Sequence, residues 1–533
     1  MTEEANTPES ASIKRHYSRR LQVDMVGEGA IVGLAVGVII TLYRISLSYA
    51  ETFLRSALPT FEGSMPLKLG WMAALLALSF LVAFLMHLEP NTRGSGIPQL
   101  DAEVIGRLNM QWLRVSVVKF IEGVLCTLSG LSLGREGPSV LLGGMAGKGV
   151  SRLLKKEQGE EHVLVTCGAA AGMSAAFHAP LTGVLFALEE IHREFNAPLV
   201  ISVMTAAAMA DFVTSQVLGV EPVLHFALVG DLPHIDYAFV LLMGVICGVV
   251  GALHNVGMFA LQGGVFGRLR RYVGDGVLAP VFLLSGLVAF SFPELLCGGD
   301  SILHFLEDGR GFTFALLIAL FLGKYIFTAL CFGSGAPGGT LLPLVILGAL
   351  LGAICGMVSV RMTSVPLAYL NNFVVLGVAG MFAASVRAPV TAVVLCFELT
   401  GSLDTLLSAT AVSLVAFVTA NLMNVEPFYE HLLTELLDTL PEPSAMRHEQ
   451  TERNKVLHVH VVGVGSLAEG KRLDEVPFPA DTLVVTIDRA GERIIPKGST
   501  QLQALDELLV IMDADQETNT EEVMRDLCRG MTE

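Results

Sequence analysis

Long apolar runs separated by short polar stretches fill the chain from about residue 23 to residue 430. Four of them, 31–50, 69–86, 237–261 and 312–332, reach the roughly 18–20 residues that cross a bilayer as a helix. Others, such as 181–188 and 390–397, are shorter and interrupted by Gly or Pro. Runs of that kind predict half-helices that end inside protein, where a cavity satisfies the free backbone groups. The pattern changes after Asp438, where "DTLPEPSAMRHEQTERNK" reads as a Pro- and acid-rich linker. From Val456, "VLHVHVVGV", "DTLVVTIDRAGERIIP" and "ELLVIMDAD" cluster or alternate β-branched residues between turn signals, which predicts strands. The stretch from Gln516 is acidic and predicts a short helix or a loose tail.

The apolar part contains a repeat. "AGMSAAFHAPLTGVLFALEE" begins at Ala171 and "AGMFAASVRAPVTAVVLCFEL" at Ala379, with their Ala-Pro pairs 209 positions apart, at 179 and 388. A second pair, "GREGP" at Gly134 and "GSGAP" at Gly333, lies 199 positions apart. Two halves in the same order, with broken helices at matching places, predict a transporter whose site lies between the halves.

Composition agrees with a membrane protein. The 533 residues are 52% hydrophobic and 16% charged, against about 25% charged in soluble domains. A net charge of −17 gives no support for nucleic-acid binding, and much of the acid sits in the tails. The eight cysteines form no C-x-x-C, so neither a disulfide framework nor a zinc site is inferred. The basic N-terminus (Lys14, Arg15, Arg19, Arg20) lacks the short apolar core and cleavage site of a signal peptide, and the positive-inside rule places it in the cytoplasm. There is no Walker loop, H-E-x-x-H or G-x-S-x-G to suggest an enzyme, and no TVGYG-type cation filter.

Three loops share one design: "GSGIP" (94–98), "GREGP" (134–138) and "GSGAPGGTLLP" (333–343). Each sets glycines, then a proline, before an apolar run. Proline suits the first turn of a helix, and glycine lets the backbone approach a ligand. Helix starts expose free N–H groups and a partial positive charge, which together attract an anion. Several of them converging would hold an anion without a full cation, and so release it quickly. Glu136, in the second loop, is itself an anion placed at such a start. It can take the place of a bound anion, or it can merely stabilise the helix dipole, a role worth roughly 0.3–1 kcal/mol. Glu189 and Glu190, read by composition alone, are the acidic end of a helix. Lys119 and Glu122 are three residues apart and can pair; Lys324 reads as structural or field-shaping, and His178 and Arg387 as packing at the turns before the Ala-Pro pairs.

With these motifs, the sequence resembles the CLC family of chloride channels and transporters over roughly residues 25–435. The resemblance implies an all-α polytopic membrane protein of two repeated halves, working as a homodimer with one pore per subunit in a lipid bilayer. It implies that Ser95 coordinates chloride, that the backbone amides of Thr340 and Leu341 line the site, and that the hydroxyl of Tyr429, in "EPFYEHLL", faces the ion. Many members carry phenylalanine where this chain has Leu341. It makes Glu136 the gate and outer proton carrier. Exchangers of the family have an inner proton-transfer glutamate at the position of Glu190, which channel members usually replace with an apolar residue; Glu189 is left a structural role. The implied function is proton-coupled chloride antiport, with a passive voltage- or pH-gated chloride channel of the same fold as the alternative.

The C-terminal region resembles the TrkA C-terminal (RCK-C) module, a small β-rich α+β domain. "VGSL" near Gly465, "VTIDRAGERIIPKGSTQLQALDELLVI" and the pattern Arg489, Gly491, Pro496, Gly498, Asp506 carry that likeness. It implies a cytoplasmic regulatory domain, often dimeric, some examples of which bind cyclic dinucleotides. With both termini cytoplasmic, this architecture points to a prokaryotic inner membrane. The expected layout is a tail (1–22), the membrane transport domain (23–437), a linker (438–455), the TrkA-C-like domain (456–515) and an acidic tail (516–533).

Overall fold

The computed structural model describes residues 8–440 and 455–528, apart from 157, 194, 196, 221–225, 227, 231, 233–236, 308–312, 363–365, 464, 480–481, 490–491 and 514–516. Most of the expected linker, Gly491 and the first seven residues of the expected N-terminal tail therefore lie outside the described residues. The chain divides into two compact units, 1–440 and 441–533.

The first unit is helical throughout. Its helices are α1 (Pro8–Glu62), α2 (Met65–Leu88), α3 (Ile97–Val104), α4 (Trp112–Leu128), α5 (Glu136–Leu154), α6 (Gln158–Phe177), α7 (Pro180–Phe186), α8 (Ala197–Leu218) and α9 (Tyr237–Phe259). They continue with α10 (Gly267–Val273), α11 (Leu278–Ser291), α12 (Asp300–Glu307), α13 (Phe314–Gly333), α14 (Leu341–Met362), α15 (Leu370–Val386), α16 (Pro389–Thr400), α17 (Leu406–Leu422) and α18 (Phe428–Thr439). Among the described residues, seven helical stretches are long and apolar enough to cross a membrane. Apolar side chains such as Phe80, Phe84, Leu242 and Leu253 are more than half exposed, a surface that suits lipid and not water. The long helices fall into two kinds. Only 22% of the most apolar stretch of α2 is buried, against 78% for α14 and 78% for the span that contains α15, so these two lie inside the protein.

The halves repeat in space as they do in sequence. Helix α5 packs along α6, and α14 along α15, more extensively than most pairs. Both pairs cross on glycines. A Cβ at Gly143 would strike the backbone of Gly168 and Gly172, and one at Gly348 would strike that of Gly377. Spacings of four between small residues (143 and 147, 168 and 172, 348 and 352) let two backbones approach closely, which supplies packing where lipid gives no hydrophobic drive. At each α6–α7 and α15–α16 corner the residue before the Ala-Pro pair takes a left-handed conformation: His178 at φ 55° and Arg387 at φ 72°. His178 Nδ1 lies 3.0 Å from Asp211 Oδ1, and Arg387 donates to the carbonyl of Val425 at 3.0 Å, so both do pack the turns. After each corner comes a helix too short to span a bilayer, α7 and α16, close to the 181–188 and 390–397 runs.

The second unit is a four-stranded antiparallel sheet in the order β1–β4–β2–β3, with β1 (Lys455–Val461), β2 (Leu483–Arg489), β3 (Glu492–Ile494) and β4 (Glu507–Asp513). The segment from Gln516 is helical over α19 (Glu517–Cys528), and Met524, Leu527 and Cys528 on one face of it close the sheet's core. The Arg489–Asp506 pattern has a structural cause. The guanidinium meets the fully buried carboxylate through two 2.7 Å bonds, and Asp506 also accepts from Gln503 N at 2.8 Å. Asp506→Ala strands the Gln503 N–H and frees the part-exposed Arg489, which keeps its bond to Gln501 O, so this unit should lose about 1–3 kcal/mol of stability. Pulse proteolysis of the intact chain in urea should show an earlier cleavage midpoint within 441–533; an unchanged midpoint would refute this role.

Candidate functional site

The three glycine loops meet. Gly338 N donates to Gly94 O at 2.9 Å and Gly94 N to Gly335 O at 3.3 Å, joining the first loop to the third. Gly134 N donates to Gly339 O at 2.6 Å and Gly339 N to Gly134 O at 2.8 Å, joining the second to the third. Between them Gly137 lies against Ser95 and Gly339; a Cβ there would collide with Ser95 Oγ, so only glycine allows this approach. The loops thus bring the starts of α3, α5 and α14 to one place, 39 or more residues apart in sequence. Below it, Lys148 of α5 pairs with the buried Glu103 of α3 and donates to Asn109 Oδ1 at 2.8 Å and Met110 O at 2.9 Å, which fixes the two helices to each other.

Five of the six residues singled out from the sequence surround this point, all buried: Ser95, Glu136, Thr340, Leu341 and Tyr429. Among the described residues, no atom meets hydrogen-bond geometry with the buried hydroxyl oxygens of Ser95 and Tyr429, the latter lying beside Thr340. Tyr429, at the start of α18, is held edge-on by Phe186 at 6.2 Å and Phe428 at 5.3 Å between ring centres, and α18 packs on α3. The first intrahelical bond of α14 runs from Leu344 N to Thr340 O at 2.9 Å, which leaves the first-turn N–H groups without intrahelical partners. One of them, Leu342 N, donates to Glu136 Oε2 at 3.3 Å. Glu136 therefore lies not only at the start of its own helix but across the start of α14 in the other half. Arg135 Nε is 3.8 Å from the second oxygen, Oε1, which accepts no hydrogen bond.

Two clefts are lined by neighbours of this carboxylate. One is bounded by Ser95, Pro98 and Phe332, the other by Arg135, Asp300 and Leu342. Glu136 itself is fully buried and belongs to neither lining.

Glu190 stands apart, in a π-helical turn, Ala187–Ile191, that continues α7. It is 6% exposed and its Oε1 has no hydrogen-bond partner among the described residues. Phe186, four residues earlier, links this helix to Tyr429. Its neighbour Glu189 is fully engaged, accepting from Thr391 N at 3.0 Å, Thr391 Oγ1 at 2.7 Å and Val390 N at 3.4 Å. Glu398, at the same 209-residue offset, caps the other half-helix in return, accepting from Leu181 N at 2.8 Å and from Thr182 N and Oγ1 at 2.6 Å. These exchanged caps separate two adjacent glutamates: one fastens the halves, the other is unspent.

One expectation from the sequence is corrected. Lys119 and Glu122 make no ion pair within 4 Å. The Lys119 ammonium donates instead to the carbonyls of Thr92 and Gly94, both at 2.7 Å, because the loop before α3 crosses α4 there and its carbonyls need a buried donor. Lys324 does the same for Leu295 O at 3.0 Å and Cys297 O at 2.8 Å. Both lysines brace the loops around the site.

Two related halves, short half-helices and three helix starts gathered at one buried carboxylate define a polytopic transport protein with a site between its halves. The family model described as voltage gated chloride channel matches residues 73–421, and that of the TrkA-C domain matches residues 457–524. The chain belongs to the voltage gated chloride channel family, as the resemblance in its glycine motifs implies. The H(+)/Cl(-) exchange transporter ClcA of Vibrio cholerae serotype O1 (strain M66-2) is 33% identical over 422 residues, 76% of this chain and 88% of that one. ClcA of Salmonella agona (strain SL483) is 31% identical over 419 residues, with the same shares. The crystal structure of a slow cyanobacterial Cl-/H+ antiporter matches with a TM-score of 0.74 at 26% identity, over 78% of this chain and 98% of that one.

Proposed function

We propose that this chain is a proton-coupled chloride antiporter, in which Glu136 is both the gate and the outer proton carrier. The observation that carries the reading is the Glu136 carboxylate bonded to Leu342 N at the start of α14. Ionised, it competes with chloride for the same backbone donors; protonated, it loses its charge and yields them. Chloride rests against Ser95 Oγ, Tyr429 OH and the amides of Thr340 and Leu341. Because those amides are backbone groups, Leu341 serves as well as phenylalanine. Glu190 hands protons on to Glu136, on a route that parts from the anion's. An ionisable group inside a membrane is costly and marks function, and Glu190, unlike Glu189, is tied to no cap.

The same proposal extends to the assembly. The short helices α7 and α16 leave Leu181 and Val390 exposed although neither helix spans a bilayer, which favours a second copy of the chain as cover. The chain is placed in a prokaryotic inner membrane with both termini cytoplasmic, a membrane part near 23–437, a linker to about 455 and a regulatory module from 456 whose ligand is a cyclic dinucleotide or another small molecule. Truncation after Asp438 should leave chloride flux in place and remove only its regulation; loss of flux in a well-folded truncation would refute this division.

Varying pH and chloride separately across proteoliposomes tests the function. Antiport predicts a reversal potential that moves with the pH gradient at fixed chloride. A passive channel of the same fold predicts one that ignores pH.

A further inference from the structure

The cleft beside Arg135 holds an acid that the gating account does not use. Asp300 is the first residue of α12, directly after Gly298 and Gly299, and it lines that cleft with Glu51, Arg135 and Leu342. The cleft measures about 230 Å³, room for several waters. A Cβ at Gly298 would lie 2.4 Å from Leu342 Cδ2 and 3.4 Å from Asp300 Oδ2, so the acid and the leucine converge on one glycine. Leu342 is the residue whose N–H holds Glu136. Asp300 is near enough for its charge to act on Glu136 and on Lys324. Most of the other charged groups around it are fastened elsewhere. Glu51 Oε1 accepts from Arg55 Nε at 2.9 Å and Nη2 at 2.8 Å. Arg44 donates to Ala175 O at 2.8 Å, and Lys324 to Leu295 O and Cys297 O. The Asp300 carboxylate has neither an ion pair nor a hydrogen bond among the described residues. Two further atoms at this point are unused and shielded from solvent: Arg135 Nε and Glu136 Oε1, 3.8 Å apart and without hydrogen-bond partners among the described residues.

We infer that Asp300 is the outer proton relay, an acid that passes protons between the water of this cleft and Glu136. The inference rests on the antiport reading of Glu136 and names the group through which its proton comes and goes. Helix α1 sets the side. With the N-terminus cytoplasmic, Glu51 lies about 27 residues beyond Asp24, roughly 40 Å along the helix and so across the bilayer. Displaced from Leu342 N by chloride, the Glu136 carboxylate is the base. A hydronium ion or buffer acid in the cleft gives its proton to the Asp300 carboxylate, and the Asp300 carboxylic acid gives it to Glu136 through the water between them. The reverse order releases a proton. The anion uses no atom of Asp300, so this acid sets the rate of proton exchange and not the ratio of the two ions.

The test is coupled transport in proteoliposomes, with proton and chloride movement recorded together in dilute, mildly alkaline buffer. Hydronium is scarce there, and proton delivery to Glu136 limits turnover. Asp300→Asn should slow both fluxes about tenfold at an unchanged ratio, less than the roughly 10²–10⁴ a positioned acid can supply because water also carries protons. Asp300→Glu, which keeps the acid, should recover most of the rate. Excess MOPS on both faces, a buffer that does not cross the bilayer, should bring Asp300→Asn to within about twofold of the natural chain, because a buffer acid replaces a relay. It replaces neither a structural contact nor a missing charge. Unchanged fluxes in Asp300→Asn, or a loss that MOPS leaves in place, overturn the relay. A natural chain that moves no protons uphill overturns the antiport reading instead.

Discussion

Replacing Glu136 by glutamine should abolish proton movement while chloride still flows. The amide has the shape of the protonated acid and no charge. It cannot compete with chloride for Leu342 N as a carboxylate does, and it cannot carry a proton. The fall in proton flux should be at least about 100-fold, equivalent to about 2.7 kcal/mol of barrier, with chloride flux changed by no more than a few-fold. Chloride flux should also lose its pH dependence, because in the proposed mechanism protonation of Glu136 opens the path. Parallel recordings of external pH and chloride in one proteoliposome preparation read both quantities. Continued proton pumping by the variant would disprove the role of the gate.

Glu190→Gln should give a different pattern. Proton flux should again fall about 100-fold. Chloride flux should persist and keep its pH dependence, since the proposed gate, Glu136, is intact. That difference separates a gate from a relay. The neighbour provides an internal comparison: Glu189 binds Thr391 and Val390, so its loss should loosen the junction of the two halves rather than remove a proton step. Full coupling in Glu190→Gln would move the inner proton site to another residue.

Local rules made much of this legible. Glycine and proline around Glu136, Ser95 and Thr340 mark helix starts because backbone sterics and missing donors act within a few residues. The 209-residue repeat gave the two corners, and the strands of the C-terminal unit appeared as runs of β-branched residues. What stayed hidden depends on partners far away in the chain. Lys119 and Glu122 obey the spacing for a helical pair, yet a carbonyl-rich loop some 25 residues upstream claims the lysine. Glu398 lies in a quoted stretch, "VVLCFEL", but its role exists only because Thr182 arrives from the other half. The Lys148–Glu103 tie and the Arg93–Asp275 ion pair join segments 45 and 182 residues apart, and no periodicity announces them. The four-residue glycine spacings were visible all along. Their meaning, two backbones in contact, became clear once α5 met α6 and α14 met α15.

The central claim is that a carboxylate and a halide take turns on the same backbone donors, so that neither ion crosses independently of the other. It is tested most directly by imposing a chloride gradient on proteoliposomes that contain the intact chain and recording external pH. The account predicts protons driven uphill, against their own gradient, and stopping when the chloride gradient is collapsed. Chloride flux with no uphill proton movement would contradict it.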